Sequence, residues 1–341
     1  MKKTQVALAA MALVASTAVL AEGVTAYGTA DISVVSNSVG TSMAGAGNSA
    51  GSIFGFKGSE DLGSGLKASF NLELGYTGTN GSLANGGNLG NTTIFNRQAN
   101  VGLSNENVGI TLGTQISPFI AGELNGSTAV GGNGVFVPGL YILNGGNLAG
   151  TTQSSGGFFI PDAVNVSGSF NGVGVNVMSR LSPANTAATG GVASDKYTAA
   201  SIGANVADIS LNMAYQNINT GSAVTKNTVL SANTTFGGIR VNGAYASNEI
   251  SGAANKGTLI GASMPLVGNL SGGVTYARND LTTLGNMKSV SLQYTLSKST
   301  YAYLTYNKFS VDTAVAANDS GNTGTSNKVG EITLVGIAHS F

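Results

Sequence analysis

Runs of strictly alternating apolar and polar residues recur along this chain, and a repeat of two residues admits β-strands and little else. Leu66, Ala68, Phe70, Leu72, Leu74 and Tyr76 alternate with Lys67, Ser69, Asn71, Glu73 and Gly75. Ile209, Leu211, Met213 and Tyr215 alternate with Ser210, Asn212, Ala214 and Gln216, and Val290, Leu292, Tyr294 and Leu296 with Ser289, Ser291, Gln293 and Thr295. Val173, Val175 and Val177 alternate with Gly174, Asn176 and Met178. A slip of one residue would exchange the two faces and carry Lys67 and Glu73 onto the apolar side, so the pattern fixes its own register. Strands of about 9–11 residues cross a bilayer at a steep tilt. Many such strands, each with one oily side and one Ser/Asn/Gly side, suit a barrel with lipid outside and water within.

The connectors alternate in size. Short ones fall at 60–65, 105–107, 171–172, 207–208, 237–238, 265–269 and 297–299. Long polar ones fall at 36–50, 78–94, 115–160, 182–195, 218–227, 249–257, 279–286 and 311–327. Asn171-Gly172 between Phe170 and Val173 is a two-residue hairpin signal. Seven short and eight long connectors join sixteen strands, an even number that returns both ends to the side of the short turns. The expectation is an all-β, sixteen-stranded antiparallel transmembrane β-barrel over 22–341. A barrel of that size encloses an aqueous lumen.

Residues 1–21 read as a signal peptide: Lys2 and Lys3, an apolar stretch from Val6 to Leu20, and a small-residue cleavage site at Val19-Leu20-Ala21. A membrane helix fits less well, because the apolar run is short and ends at Ala21-Glu22 without a basic stop. Without Lys2 and Lys3, 13 of the 15 basic residues remain against 15 acidic ones, a formal charge of −2. That balance argues against nucleic acid as a partner. The chain has no cysteine, so an exported form depends on a large core or a closed hydrogen-bonded sheet rather than disulfides. No segment beyond the first reaches the ~18 apolar residues of a spanning helix, and a bilayer then admits only a closed barrel. Gly is abundant at 51 residues, which weakens helices and favours turns. Tyr27, Phe70, Tyr76, Phe95, Phe170, Tyr197, Phe236, Tyr276, Tyr294, Tyr301 and Phe309 stand near strand ends, where rings form girdles at headgroup level.

Three stretches carry a family resemblance. Gly55-Phe56-Lys57-Gly58-Ser59-Glu60-Asp61-Leu62-Gly63-Ser64-Gly65-Leu66-Lys67-Ala68 is the first. The second runs from Phe95-Asn96-Arg97-Gln98 to Leu103 and on through Val108 to Gln115, and the third is Val335 to Phe341. With Tyr27-Gly28-Thr29-Ala30-Asp31 they resemble Gram-negative porins of the β-proteobacterial and neisserial type. The middle of the chain matches in pattern alone. The resemblance implies an outer-membrane homotrimer of sixteen-stranded barrels that passes small hydrophilic solutes and ions by passive diffusion. It also implies a third outer loop, here 115–160, folded inward as a constriction, and a terminal aromatic, Phe341, presented to the barrel-assembly machinery.

A channel of this kind filters by radius and by lining charge. By alternation, Lys67, Glu73, Arg180 and Arg240 point inward. Arg97 matches a family arginine by motif but shares parity with Ala99, Val101 and Leu103, so a bulge or a rim position must turn it inward. Glu123 is the sole charged side chain between Gln115 and Pro161. Where the family commonly sets arginine, this chain has Ile53, Thr114 and Ala338. A weakly charged eyelet, and so weak ion selectivity, is the expectation. Phe119, Ile120, Val135, Phe136, Val137, Leu140, Tyr141, Ile142 and Leu143 would either pack the loop on the wall or line an apolar constriction.

Three other readings are weaker. An enzyme needs a nucleophile beside a base, whereas the one histidine, His339, shares parity with Val335, Ile337 and Phe341 on the outward row. Neither a metal nor a cofactor is implied, with no cysteine, one histidine and no carboxylates at ligand spacing. A secreted β-solenoid needs a fixed repeat, and Gly131-Gly132-Asn133-Gly134 and Asn144-Gly145-Gly146-Asn147 stand in one loop. A substrate-specific channel would carry an aromatic track. Either Tyr301 and Tyr303 or Tyr306 faces inward, and the pattern leaves open which.

Overall fold

The structure is a computed structural model that describes residues 23–38, 40–84, 93–126, 158–181, 196–219, 224–281, 285–313 and 329–341. The expected signal at 1–21 and most of the 115–160 and 182–195 connectors lie outside these residues, as do Val135 to Leu143 and both Gly/Asn stretches.

The described residues form one antiparallel sheet that closes on itself. Its strands are β1 (Thr25–Asn37), β2 (Gly40–Ala44), β3 (Ile53–Gly63), β4 (Leu66–Gly75), β5 (Gln98–Ser104), β6 (Val108–Ile116), β7 (Phe159–Phe170), β8 (Val173–Arg180) and β9 (Lys196–Val206). They continue with β10 (Ile209–Asn219), β11 (Val224–Phe236), β12 (Ile239–Ile250), β13 (Ala253–Val267), β14 (Leu270–Asn279), β15 (Asn286–Thr295), β16 (Thr300–Thr313) and β17 (Val329–Ser340). A single helix among the described residues, α1 (Pro118–Asn125), follows β6. From β3 to β17 each strand pairs with its sequence neighbours, and β17 pairs with β1 from Thr29↔Ser340 to Asn37↔Ile332. Seventeen strands fill sixteen positions, because β2 and β3 share one. β2 pairs with the far end of β1 (Ser33↔Ala44 to Asn37↔Gly40), and β3 with its near end (Thr25↔Lys57 to Thr29↔Ile53).

The alternation read from the sequence becomes two faces. Along β15, Val290 is 50% exposed and its neighbour Ser291 is 0% exposed. Val101, Val177, Leu211, Met213, Leu230, Val274, Leu292 and Val335 stand on the same outward face, as does Leu66. The inner face carries Ser, Thr, Asn and Ala, with an apolar cluster where α1 packs. Hairpins with positive φ close the short ends, as at Asn171 (φ 50°) and Gly172 (φ 80°), the pair of left-handed residues that matches strand twist.

Three sequence expectations change. The 249–257 connector is a two-residue turn, Ser251-Gly252, because β12 and β13 remain paired out to Ile250↔Ala253. The 218–227 connector is likewise shorter, since β10 runs to Asn219 and β11 resumes at Val224. Four expected girdle rings are on the inner row instead: Tyr27, Tyr197, Tyr301 and Phe309. Tyr27 faces Gly55, which faces Glu73, while Tyr197 and Phe309 are buried and Tyr301 shares parity with buried Tyr303. Closeness to a strand end says nothing about face. Phe170, Phe236, Tyr276 and Tyr294 do point outward.

Candidate permeation path

Inside the barrel the chain after β6 leaves the wall as α1 and settles on the inner faces of β10 and β11, reaching β12 at its end. Its start is written locally: Ser117 accepts the Phe119 amide at 3.1 Å, and Pro118 occupies the first turn, where no amide partner is needed. Phe119 and Ile120 are fully buried against Ala214, Val229 and Ala246. The approach is close because Gly122 lacks a side chain. A Cβ there would stand 2.6 Å from Asn212 Oδ1 and 2.7 Å from the Ala214 Cβ. Polar side chains of the wall then hold the helix backbone. Ser231 Oγ donates to the Gly122 carbonyl at 2.6 Å, Asn233 Nδ2 to the Asn125 carbonyl at 2.9 Å, and Asn242 Nδ2 to the Gly126 carbonyl at 2.6 Å. Ser210 donates to Asn125 Oδ1 at 3.0 Å, and Ser117 and Tyr197 share a short hydroxyl contact. The small residues read as the wet side of β10–β12 are thus also the seat of a helix.

The wall beside β4 holds a second cluster. Glu73 accepts Arg97 Nε at 2.7 Å through one oxygen and the Tyr27 hydroxyl at 2.8 Å through the other. The Arg97 guanidinium also lies 4.4 Å from the centre of the Phe159 ring, close enough for a cation–π contact. Both charges are buried, at 8% exposure for Arg97 and 4% for Glu73. Arg97 precedes β5 in a bend, which frees it from the outward row of Ala99 and Val101. The bend, and not strand parity, therefore turns it inward.

A third cluster folds 45–52 into the barrel between β2 and β3. Asp31, fully buried on β1, accepts the Ser49 amide at 2.6 Å, the Ala50 amide at 2.9 Å and the Tyr303 hydroxyl at 2.7 Å. Ser52 Oγ donates to the Asp31 carbonyl and accepts its amide. Tyr301 meets Ser49 at 2.9 Å. Tyr301 and Tyr303 are therefore the inward set, and Tyr306 faces outward.

The remaining site residues spread around the lumen. Lys67 is exposed on the inner row of β4, opposite Asp61 and beside the 64–65 turn. Arg180 lies at the far end of β8, 3.9 Å from Asp162. Arg240 shares the inner row of β12 with Asn242 and Ala244. Glu123 is buried on α1. The structure thus brings together Glu73 and Arg97 and keeps Lys67, Arg180 and Arg240 apart. Ile53 stands on the inner row opposite Thr29, whereas Thr114 faces Ala99 on the outward row, beside a bulge between Gly113 and Gln115. The Thr114 substitution therefore removes less lumenal charge than the motif implied. Sequence reading missed Asp31 and Lys57. The alternation of Thr29, Asp31 and Ser33 with Ala30, Ile32 and Val34 was the available signal for Asp31, as that of Gly55, Lys57 and Ser59 with Phe54 and Phe56 was for Lys57, whose Nζ lies 5.0 Å from the Tyr27 ring centre.

Phe341 closes the seam. Its amide donates to the Gly28 carbonyl at 3.0 Å and its carbonyl accepts the Gly28 amide at 3.1 Å, while its ring, 59% exposed, lies 6.4 Å from that of Phe54. His339 is outward-facing and exposed, and meets Thr300 Oγ1 at 2.8 Å.

A closed antiparallel barrel with an apolar exterior, a polar interior and a helix lodged inside belongs to the β-barrel channels of outer membranes. Comparison narrows the class. The model of the Gram-negative porin family matches residues 7–314, and the chain belongs to that family, whose members reside in the outer membrane. An outer membrane porin protein of Bordetella pertussis is 37% identical over 127 residues, which span 32% of this chain and 32% of that protein. In fold the chain is similar to the anion-selective porin from Comamonas acidovorans, with a TM-score of 0.72 and 21% identity over 94% of this chain and 99% of that one. It is also similar to OmpT of Vibrio cholerae in its trimer form, with a TM-score of 0.66 and 10% identity over 94% and 99% of the two chains.

Proposed function

We propose that this chain forms a water-filled channel through which small hydrophilic solutes and ions diffuse passively across the outer membrane. The seating of α1 on the inner wall carries this reading. An apolar exterior alone would fit any membrane barrel, but a helix held on the lumenal side by five hydrogen bonds from the wall narrows the path at a fixed place. In this reading 115–160 is the constriction loop of a homotrimer. Residues 1–21 are removed on export, and Phe341 serves as the assembly signal.

Lys67, Glu73, Arg97, Glu123, Arg180 and Arg240 are the charges proposed to line the path. Their pairing favours weak selectivity, because Arg97 and Glu73 cancel within the wall and Arg180 stands near Asp162. Purified protein in planar bilayers should give conductance steps grouped in threes and a reversal potential near zero under a salt gradient. Neutralising Glu123 or Arg180 should shift that potential. Strong selectivity of either sign would overturn the sparse-eyelet reading, and unchanged potentials in both variants would place these two residues outside the path. A substrate-specific aromatic track finds little support, since the hydroxyls of Tyr301 and Tyr303 are engaged by Ser49 and Asp31. Liposome swelling with solutes of graded size should accordingly follow size without saturation.

A further inference from the structure

The wall position shared by β2 and β3 is broken by a detour into the lumen. β2 ends at Ala44, opposite Ser33, and β3 begins at Ile53, opposite Thr29. Ala30, Asp31 and Ile32 of β1 separate these two rows, so three residues would carry the strand straight through. The chain uses eight, 45–52, and gives up the ladder hydrogen bonds that a straight strand would make there. Buried backbone groups are rarely left unpaired, and the Ser52 hydroxyl repairs the gap. It donates to the Asp31 carbonyl at 3.0 Å and accepts the Asp31 amide at 3.1 Å. Closing the sheet needs none of this, so sheet closure does not account for the detour.

The detour is fixed at base, waist and tip. At the base Ser52 donates its amide to the Ala46 carbonyl at 2.8 Å, and Gly78 donates to the Gly45 carbonyl at 2.7 Å. At the waist its two arms touch: a Cβ on Gly47, where φ is +93°, would stand 2.4 Å from the Gly51 Cα. At the tip Asn48 Nδ2 donates to Ser33 Oγ at 2.7 Å, Asp31 takes the Ser49 and Ala50 amides, and Tyr301 meets the Ser49 hydroxyl. Asn48 and Ala50 keep part of their surface exposed. With β2 and β3 counted as one, β1 and β10 stand eight positions apart either way round the sixteen. The detour lies on β1 and β16, and α1 lies on β10 and β11. Their heights also match. Tyr303 is three residues past the start of β16, and Asn212, which Gly122 touches, three past the start of β10. Both strands rise from short turns, so each contact stands about 10 Å along its strand from that rim.

We propose that 45–52 is a second constriction element, bounding the narrow part of the path on the wall opposite α1. Asp31 is its positioning residue, and Asn48 and Ala50 are the groups it presents to a passing solute. Both are uncharged, so this side of the path sorts small polar solutes by size and leaves the sign of their charge unread. The proposal rests on the channel reading and adds a second boundary to it.

The test places a charge on the tip. The chain has no cysteine, so Ala50→Cys in the full mature protein is labelled alone. A sulfonate-bearing or a trimethylammonium-bearing methanethiosulfonate supplies the charge, and mass spectrometry confirms the adduct. In planar bilayers under a salt gradient, the anionic adduct should shift the reversal potential toward cation preference and the cationic adduct toward anion preference. Each should also reduce the conductance step. The same adducts on Thr235→Cys, exposed on the inner row opposite Arg240 and beside a short turn, should shift the potential less. Equal shifts at the two positions, or an unmoved potential with the Ala50→Cys adduct in place, would overturn the proposal. Asp31→Asn should raise the solute size limit in liposome swelling, and an unchanged limit in the folded variant refutes the positioning role. Should that variant not fold, the labelled Ala50→Cys channel decides. Wild-type protein without conducting steps would overturn the channel reading and this one with it, whereas a conducting wild type beside an insensitive adduct would overturn this one alone.

Discussion

Gly122→Ala tests the seating of α1 at its tightest point. The added methyl would lie 2.7 Å from the Ala214 Cβ, against an ordinary contact of 3.4 Å or more, so helix and wall must part by about 0.7 Å. The methyl would also stand 2.6 Å from Asn212 Oδ1, which must turn aside. The Ser231–Gly122 hydrogen bond, at 2.6 Å, is drawn out by the same movement. Overpacking a filled site costs about 1–3 kcal/mol, and a weakened hydrogen bond adds about 0.5–1.5 kcal/mol. A loss of about 1.5–4.5 kcal/mol moves the balance between seated and unseated helix by roughly ten- to two-thousandfold. The sheet ladder is untouched, so the barrel should keep its heat-modifiable migration. Single-channel recordings should show added current noise and an altered step size. A Gly122→Ala channel with wild-type conductance and noise would refute the idea that this contact fixes the constriction.

Three further outcomes follow from named contacts. Glu73→Gln leaves Arg97 charged and buried without its carboxylate, which should cost about 3–5 kcal/mol of stability and shift the reversal potential toward anion preference; urea denaturation and bilayer recordings measure the two effects. Asp31→Asn removes the charge that holds Ser49, Ala50 and Tyr303, a loss of about 1.5–3 kcal/mol, and limited proteolysis should then cut within 45–52 while the wild type resists. Deleting Phe341 removes its two backbone hydrogen bonds to Gly28, and should lower the yield of assembled barrel in membranes; a normal yield would argue against both the seam and the recognition role.

The strands were legible because a two-residue repeat is a local property, and every outward row from Leu66 to Val335 follows it. Less was legible wherever the answer depended on a distant part of the chain. Tyr27 and Tyr197 carry the same chemistry as girdle rings, but Glu73 and Ser117, far along the chain, hold them inside. The division of one barrel position between β2 and β3 depends on Asp31 capturing Ser49 and Ala50, a contact that no periodicity records. The helix could have been read from Ser117-Pro118, a capping serine before a first-turn proline. Its seat could not, since Gly122 is meaningful only opposite Asn212 and Ala214. Arg97 shows the converse. Its strand parity pointed outward, and a bend just before β5 set parity aside.

The account depends above all on which medium wets each face. The chain has no cysteine, so single cysteines can be introduced and spin-labelled without background. Adjacent pairs such as Asn176/Val177 and Ser210/Leu211, with Ser69 and Val101, sample both faces in protein reconstituted into bilayers. Labels at 101, 177 and 211 should collide with membrane-dissolved oxygen, and those at 69, 176 and 210 with a water-soluble nickel chelate, the preference reversing at each step along a strand. Nickel access at 101, 177 and 211, or oxygen access at 69, 176 and 210, would contradict the hollow, lipid-facing barrel.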